Sequence, residues 1–203
     1  MQEELLSLIA AQTGHFRLES GHHGSLWLDL DPLFLRPGRL RRFVAGLANK
    51  LAGHNIVAVC GPLTGGAFLA QSVAAVLDVE FYYTQRVAPP ERDALYAAKY
   101  RMPDGLREMV RGKAVAIVDD VINAGSAVRG SLAELRSCGA NPVAVGALLV
   151  LGSAAPSLCA DQAVPLEYIA HLPNEVWAPA ACPLCAAQTP LEDLTAGKPE
   201  RTL

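Results

Sequence analysis

The sequence has no apolar run long enough to cross a membrane. Hydrophobic residues make up 51% of its 203 residues, yet no stretch approaches the roughly 18 consecutive apolar residues that a spanning helix needs. Its first residues carry the acids Glu3 and Glu4, where a secretory signal would carry positive charge. We therefore expect a protein of the cytoplasm without a membrane partner.

The sequence also lacks a disulfide framework. Its five cysteines are an odd and scattered set, at positions 60, 138, 159, 182 and 185. Such a set is typical of a reducing compartment. The net charge of -3 argues against broad binding of nucleic acid, so we expect a small-molecule partner.

Two of the cysteines, Cys182 and Cys185, have the Cys-x-x-Cys spacing of half a zinc site. A structural site usually needs four ligands, and no second Cys-x-x-Cys occurs. His171, Cys159 or a second subunit are candidates to complete it. The alternative, which the sequence favours, is a buried turn of the tail.

The adjacent histidines His22 and His23 are a second possible metal pair. Neighbouring residues on a strand point to opposite faces, so they do not converge on one ion. We interpret both as polar turn residues.

The chain has the length of one domain, and its apolar pattern alternates between strand and helix periods. The predicted strands are residues 56–60, 79–83, 114–118, 142–151 and 166–172, and the predicted helices are 3–12, 39–52, 67–77 and 127–138. This order predicts an α/β fold with a central, mainly parallel sheet flanked by helices. We expect three regions: a small N-terminal helix and hood lobe (1–38), a core (39–172) and a loosely packed tail (173–203).

The junction after strand 114–118 is the most informative segment. The strand ends in two acids, small residues follow at 124–127, and helical spacing begins there. An anion in such a loop meets unpaired amides and the positive end of the helix dipole, and the acids can accept hydrogen bonds from sugar hydroxyls. The sequence therefore predicts a site for a sugar phosphate. No P-loop and no Gly-x-Gly-x-x-Gly fingerprint is present.

This junction resembles the phosphoribosyl pyrophosphate (PRPP) motif of the type I phosphoribosyltransferases, and most closely that of the orotate phosphoribosyltransferases. Seven of nine positions match, with Asn123 and Ser126 in place of threonines. The motif comprises Asp119, Asp120, Val121, Ile122, Asn123, Ala124, Gly125, Ser126 and Ala127. The resemblance implies the type I phosphoribosyltransferase fold with an N-terminal hood, transfer of ribose 5-phosphate from PRPP to a nucleobase, Mg²⁺ as cofactor and a homodimer.

The resemblance also implies roles for the motif residues. Asp119 and Asp120 would hold the ribose hydroxyls, and residues 123–127 would hold the 5′-phosphate. Mg²⁺ would be bound mainly through substrate and water, with Asp119 or Asp120 as the protein's own ligand if there is one.

A second glycine loop follows strand 56–60 and contains Leu63, Thr64 and Gly65. It resembles the family's pyrophosphate loop, although Gly65 stands where a lysine is common. The alternative is a simple turn between a strand and a helix.

The connection between residues 83 and 113 is long and rich in basic residues. They are Arg86, Arg92, Lys99, Arg101, Arg107, Arg111 and Lys113. Cations that close over a leaving pyrophosphate would stabilise it, and the family's orotate enzymes have such a lid. We expect Arg86 to bind PRPP, and Lys99 and Arg101 to be catalytic, although no Lys-x-His-Gly occurs. Acids in the same stretch favour the alternative of a solvated surface loop.

The segment from Gly14 to Gly21 resembles the family's base-binding segment. Base contacts are expected from Phe16, Glu19, Ser20, Gly21, Trp27, Leu28 and Asn123. Glu19 stands where some members have a lysine, and an acid there would repel the carboxylate of orotate, so we expect it to face solvent. Trp27 and Leu28 wall the pocket or fill the core of the lobe.

The sequence departs from the orotate enzymes after strand 142–151. Their Asp-Arg pair, in which the arginine meets the carboxylate of orotate, is replaced by Gly152-Ser153. Orotate is our leading acceptor. The alternatives are another nucleobase, or a non-catalytic PRPP-binding regulator.

Overall fold

The structure is a computed structural model that describes residues 1–87 and 99–194. Its helices are α1 (Gln2–Leu6), α2 (Pro37–Leu51), α3 (Gly65–Leu77), α4 (Asp104–Arg107), α5 (Ser126–Ser137), α6 (Ala154–Asp161) and α7 (Pro183–Ala186). Its strands are β1 (Ala10–Arg17), β2 (His23–Asp29), β3 (Ala58–Pro62), β4 (Glu80–Val87), β5 (Lys99–Arg101), β6 (Ala114–Ile122), β7 (Asn141–Leu151), β8 (Leu166–Leu172) and β9 (Val176–Trp177). Among the residues described, no helix is both long and apolar enough to cross a bilayer.

A six-stranded sheet forms the core, in the order β5-β4-β3-β6-β7-β8. All neighbours run parallel except β4 and β5, which form an antiparallel pair at one edge. The central strand β6 is apolar and buried over residues 115–118, because helices cover both faces of the sheet. The predicted α/β fold with a mainly parallel sheet is confirmed.

A small antiparallel sheet of β1, β2 and β9 forms the hood lobe. The predicted helix over residues 3–12 is wrong in its second half, since α1 ends at Leu6 and β1 begins at Ala10. Ala10 pairs with Asp29 of β2, and Gln12 pairs with Trp27. Ala and Gln favour helix, but pairing with a neighbouring strand overrides that weak local preference.

The tail after residue 172, which we expected to pack loosely or fray, pairs with the hood through backbone hydrogen bonds within residues 173–194, although most of its side chains are exposed. Strand β9 extends the hood sheet, with Val176 opposite Gly24. The backbone N–H of Glu192 donates to the carbonyl of His15, and that of Arg17 donates to the carbonyl of Glu192, each at 2.8 Å. The tail is therefore part of the hood.

The basic connection divides into two parts. Residues 88–98, which include Arg92, lie outside the described residues, and β4 and β5 flank them as a hairpin. Beyond β5, Arg107 pairs with Glu134, and Lys113 pairs with Glu80. This second part is the mixed-charge surface that was the alternative to a lid.

Candidate active site

The acidic turn lies at the carboxyl edge of the main sheet, where β6 ends. Asp119 is buried and Asp120 is half-buried. Gly125 turns the chain with a φ of 78° and α5 begins at Ser126, so small residues bring the start of a helix next to two carboxylates. A left-handed φ favours glycine at that position, because a side chain there would be strained.

The glycine loop between β3 and α3 packs directly against these acids. A Cβ on Gly65 would lie 2.0 Å from Oδ2 of Asp120, and one on Gly66 would lie 2.6 Å from Oδ1 of Asp119. The peptide bond between Leu63 and Thr64 is cis, and the N–H of Leu63 donates to the carbonyl of Thr84 at 2.8 Å. Glycine is therefore required at 65 and 66 for close contact of the two loops.

A cavity of about 570 Å³ lies between the two loops and the hood. It is lined by most of the residues that the sequence singled out, namely Glu19, Ser20, Trp27, Leu28, Leu63, Thr64, Gly65, Arg86 and all nine residues from Asp119 to Ala127. Segments more than 100 positions apart in the sequence thus meet at one edge of the sheet. A cavity of this size takes a nucleotide-sized ligand.

The cavity is acidic in the part of the chain that the structure describes. Glu19, Asp119 and Asp120 line it, with Arg86 as the one basic lining residue among those described. Burial and the charge of Asp120 raise the pKa of Asp119 well above its usual range. Carboxylate oxygens suit a hard cation such as Mg²⁺ and also accept hydrogen bonds from hydroxyls. The residues present therefore fit a magnesium-bound sugar phosphate.

Sequence reasoning missed Tyr100. In β5 the Tyr100 side chain is buried and lines the cavity, whereas Lys99 and Arg101 on either side are exposed and do not line it. The Tyr100 hydroxyl donates to Oε1 of Glu19 at 2.6 Å. The sequence did contain a signal for this: Tyr100 stands between two cations, and successive side chains of a strand point to opposite faces.

Glu19, which we expected to face solvent, lines the cavity, with its side chain 31% exposed. It lies at the cavity, held by Tyr100 and by Nε of Arg86, which is 3.7 Å from Oε1 of Glu19. Burial and the negative charge of Glu19 raise the pKa of the Tyr100 hydroxyl, so Tyr100 keeps its proton and donates it in the hydrogen bond to Glu19.

Two predicted base contacts lie behind the cavity wall. Phe16 is buried and packs on Trp27, with ring centroids 6.1 Å apart. Gly21 occupies a turn with a φ of 80° and donates its N–H to the carbonyl of Leu18. Neither lines the cavity; both shape the loop that carries Glu19 and Ser20.

A smaller cavity of about 280 Å³ adjoins Asn123. Its lining includes Gly152 and Ser153, where the Asp-Arg pair is absent, together with Asn174, Glu175 and Trp177. The amide of Asn174 donates to Oδ1 of Asn123 at 3.1 Å. No basic side chain lines this second cavity among the described residues.

The candidates to complete a metal site with Cys182 and Cys185 are not the residues that the sequence suggested. His171 lies instead against the carbonyl of Gly152 at 2.8 Å, and Cys159 is buried in the apolar core. The structure brings His15 and His23 to the two cysteines. Adjacent histidines do diverge as expected, because the His22 ring contacts Ser20, but His23 is a buried strand residue and not part of a turn.

Comparison with known proteins agrees with this geometry. The family model described as "Phosphoribosyl transferase domain" matches residues 38–164. An orotate phosphoribosyltransferase of Caldanaerobacter subterraneus subsp. tengcongensis is 30% identical over 178 residues, which cover 88% of this chain and 86% of that protein. The structure is similar to an Aeropyrum pernix orotate phosphoribosyltransferase (TM-score 0.60, 26% identity, 80% of this chain and 88% of that one). It shares its fold with an adenine phosphoribosyltransferase of Thermoanaerobacter pseudethanolicus (TM-score 0.65, 17% identity, 84% and 99% covered).

Proposed function

Since this chain belongs to the phosphoribosyltransferase family, we propose that it transfers ribose 5-phosphate from PRPP to orotate, with release of pyrophosphate. It is a phosphoribosyltransferase, and orotate is the acceptor named for its curated relatives. The observation that carries the proposal is the single cavity in which the acidic turn, the glycine loop and the hood loop meet.

In this proposal the PRPP lies along the carboxyl edge of the sheet. The 5′-phosphate binds in the loop before α5, where backbone N–H groups and the helix dipole favour an anion. Asp119 and Asp120 accept hydrogen bonds from the ribose hydroxyls, and the loop from Leu63 to Gly65 holds the pyrophosphate. The close contact of Gly65 with Asp120 supports this arrangement, because it places the pyrophosphate loop beside an acid that holds the ribose.

The reaction breaks the bond between the anomeric carbon and pyrophosphate as a base nitrogen bonds to that carbon. Mg²⁺, bound to substrate oxygens beside the acidic turn, would offset charge on the leaving group. The protein positions the two reactants and supplies electrostatic stabilisation, so no covalent nucleophile is needed. Arg86 lines the same cavity and in this proposal would offset charge on the leaving pyrophosphate.

Lys99 and Arg101 fit the proposal as lid residues of a homodimer. Both are exposed on the edge strand β5, and the cavity of one chain has Arg86 as its basic lining residue among those described. A second copy that contributes Lys99 and Arg101 would add the positive charge that pyrophosphate requires.

A second candidate acceptor is a nucleobase without a carboxylate. The cavity at Gly152 and Ser153 is lined by Glu175 and by no basic residue among those described. An acid repels a carboxylate and favours a base that offers N–H donors in that direction.

Pyrophosphate release, measured with PRPP, Mg²⁺ and a panel of pyrimidine and purine bases, tests these proposals. Turnover with orotate supports the first, and turnover with another base alone supports the second. A chain that binds PRPP in a thermal-shift assay but turns over no base would be a regulator instead.

A further inference from the structure

Four metal-ligating side chains converge in the hood, away from the acidic cavity. They are His15 on β1, His23 on β2, and Cys182 and Cys185 at the start of α7. Their ligand atoms all lie within 4.8 Å of one another. His15, His23 and Cys182 are only 1%, 6% and 4% exposed, so this is a buried cluster drawn from three separate segments.

Four of the six separations between the ligand atoms are close to those around a tetrahedral ion. Zinc bonds of about 2.0–2.1 Å to nitrogen and about 2.3 Å to sulfur place ligand atoms about 3.3 Å apart for two nitrogens and about 3.6 Å apart for nitrogen and sulfur. Nε2 of His15 is 3.1 Å from Nδ1 of His23 and 3.4 Å from Sγ of Cys182. Sγ of Cys185 lies 3.7 Å from Nε2 of His15 and 3.2 Å from Nδ1 of His23.

A hydrogen bond behind His15 orients it as a ligand. Nδ1 of His15 lies 2.9 Å from the backbone carbonyl of Thr189. A carbonyl only accepts, so Nδ1 carries the proton, and Nε2 keeps its lone pair toward the cluster. Metal-bound histidines usually have such an outer partner, which fixes the ring and its tautomer.

The C-terminal segment has little else to hold it. In residues 173–194, Cys182 has the one fully buried side chain. The segment joins the hood through short pairing of β9 with β2 and through backbone bonds near Glu192. A segment without an apolar core of its own is the usual setting for a structural metal.

From these observations we propose that His15, His23, Cys182 and Cys185 bind one structural Zn²⁺ that fastens the C-terminal segment to the hood. Two thiolates and two neutral imidazoles balance the charge of the ion, so the buried site is neutral. Four protein ligands leave no open position, as in structural and not catalytic zinc sites.

The position of the site gives it a second consequence, which rests on the proposed function. His15 and His23 flank the loop that carries Glu19 and Ser20 into the cavity. Both ends of that loop would be fixed by the ion, which would then act as a positioning element for the base. Loss of the metal should raise KM for the base more than KM for PRPP.

The test begins with metal content. The full chain, purified and with its affinity tag removed, should contain one zinc ion per chain, as measured by inductively coupled plasma mass spectrometry. Cys185→Ser and His23→Ala should lose it. Controls are His22→Ala, whose ring faces Ser20, and Cys159→Ala, a cysteine of the core; both should keep their zinc. Cys185 is exposed, so its variant should fold, which circular dichroism checks.

Cobalt gives an independent readout. Chain refolded with Co²⁺ in place of zinc should show the intense visible bands of a tetrahedral ion and the thiolate charge-transfer absorption, both absent in Cys185→Ser. Enzyme from which a chelator has removed the zinc should have a lower Tm. When it is assayed in excess Mg²⁺, it should have a higher KM for the base.

Three outcomes would overturn the proposal: wild-type protein that is purified without zinc and whose Tm does not rise when Zn²⁺ is added, equal zinc in wild type and Cys185→Ser, or an intact mass two hydrogens short that reveals a Cys182–Cys185 disulfide. Zinc content does not depend on turnover. A chain that binds zinc but transfers to no base would therefore refute the proposed function and leave the metal site standing.

Discussion

Tyr100 on the edge strand β5 donates its hydroxyl proton to Oε1 of Glu19 in the hood, 2.6 Å away. This bond joins the hairpin that flanks residues 88–98 to the loop expected to contact the base. Both residues line the larger cavity. Arg86 of the same hairpin also contacts Oε1 of Glu19, at 3.7 Å, so two polar contacts connect the hairpin to the hood loop.

Tyr100→Phe should weaken base binding. A hydrogen bond to a charged group contributes about 1.5–3 kcal/mol, so kcat/KM for the base should fall by roughly tenfold or more, mostly through KM. Steady-state kinetics with varied base at saturating PRPP measures this. Tyr168→Phe on the exposed edge strand β8 is the matched control. Equal kinetics of the two variants would show that the contact is not used.

Asp119→Asn should abolish most activity yet stabilise the fold. Burial and Asp120 raise the pKa of Asp119, so between the ordinary pKa of about 3.9 and the raised one, the folded chain holds a proton that the unfolded chain has released. Stability therefore falls as pH rises through that window. Asparagine cannot ionise and so avoids this loss in the free energy of unfolding. Near pH 7.5 the Tm of Asp119→Asn should therefore be higher than that of wild type, by about 2–4 °C for each kcal/mol of unfolding free energy regained.

Denaturant unfolding at several pH values checks the sign. The difference between Asp119→Asn and wild type should shrink as pH falls toward 4. Asp161→Asn, at the exposed end of α6, is the control variant. A variant that is less stable than wild type at neutral pH would mean that the buried acid is compensated by its neighbours.

Gly65→Ala should damage PRPP binding without unfolding the chain. The new Cβ would lie 2.0 Å from Oδ2 of Asp120, so the acid or the loop must move. Misplacement of a reacting group by about 1 Å can cost on the order of 100-fold in rate. Isothermal titration with PRPP and Mg²⁺ and kcat/KM measure the effect. Gly38→Ala in α2 meets nothing within 4 Å, and normal PRPP affinity in both variants would count against the proposed contact.

Lys99→Ala/Arg101→Ala should lower kcat more than it weakens PRPP binding, because a lid acts on charge that develops in the transition state. If the lid serves the partner, chains with this double change and chains with Asp119→Asn should complement each other when co-refolded. About a quarter of wild-type activity is expected, since half of the dimers are mixed and each has one intact site. A mixture as inactive as its parents would mean that the lid serves its own chain.

The core and the acidic turn were predictable because their signals are local. An apolar run, two acids, small residues and a helical period follow one another within about 20 positions of the sequence. The extent of β4 was underestimated, since it continues to Val87. Pairing with β5 supports those extra residues, and that pairing depends on a neighbour that local periodicity does not reveal.

The cluster of His15, His23, Cys182 and Cys185 and the buried side of β5 were not predicted from the sequence, because both depend on contacts between segments that are distant in the chain. His15 and Cys182 are 167 positions apart, and Cys-x-x-Cys alone offers half a site. A tail rich in Pro and Ala gives no periodic signal, so its packing onto the hood was not predicted.

The sequence by itself determined the α/β core, the sugar-phosphate turn and the family, because those features depend on the order of neighbouring residues. The tertiary structure alone decided that Tyr100 faces the cavity while Lys99 and Arg101 do not, that Glu19 is held by Tyr100 and Arg86, and that two histidines meet two cysteines. These features depend on segments far apart in the chain: the packing of the hood on the sheet brings Glu19 to Tyr100 and Arg86, and the packing of the tail on the hood brings the cysteines to the histidines.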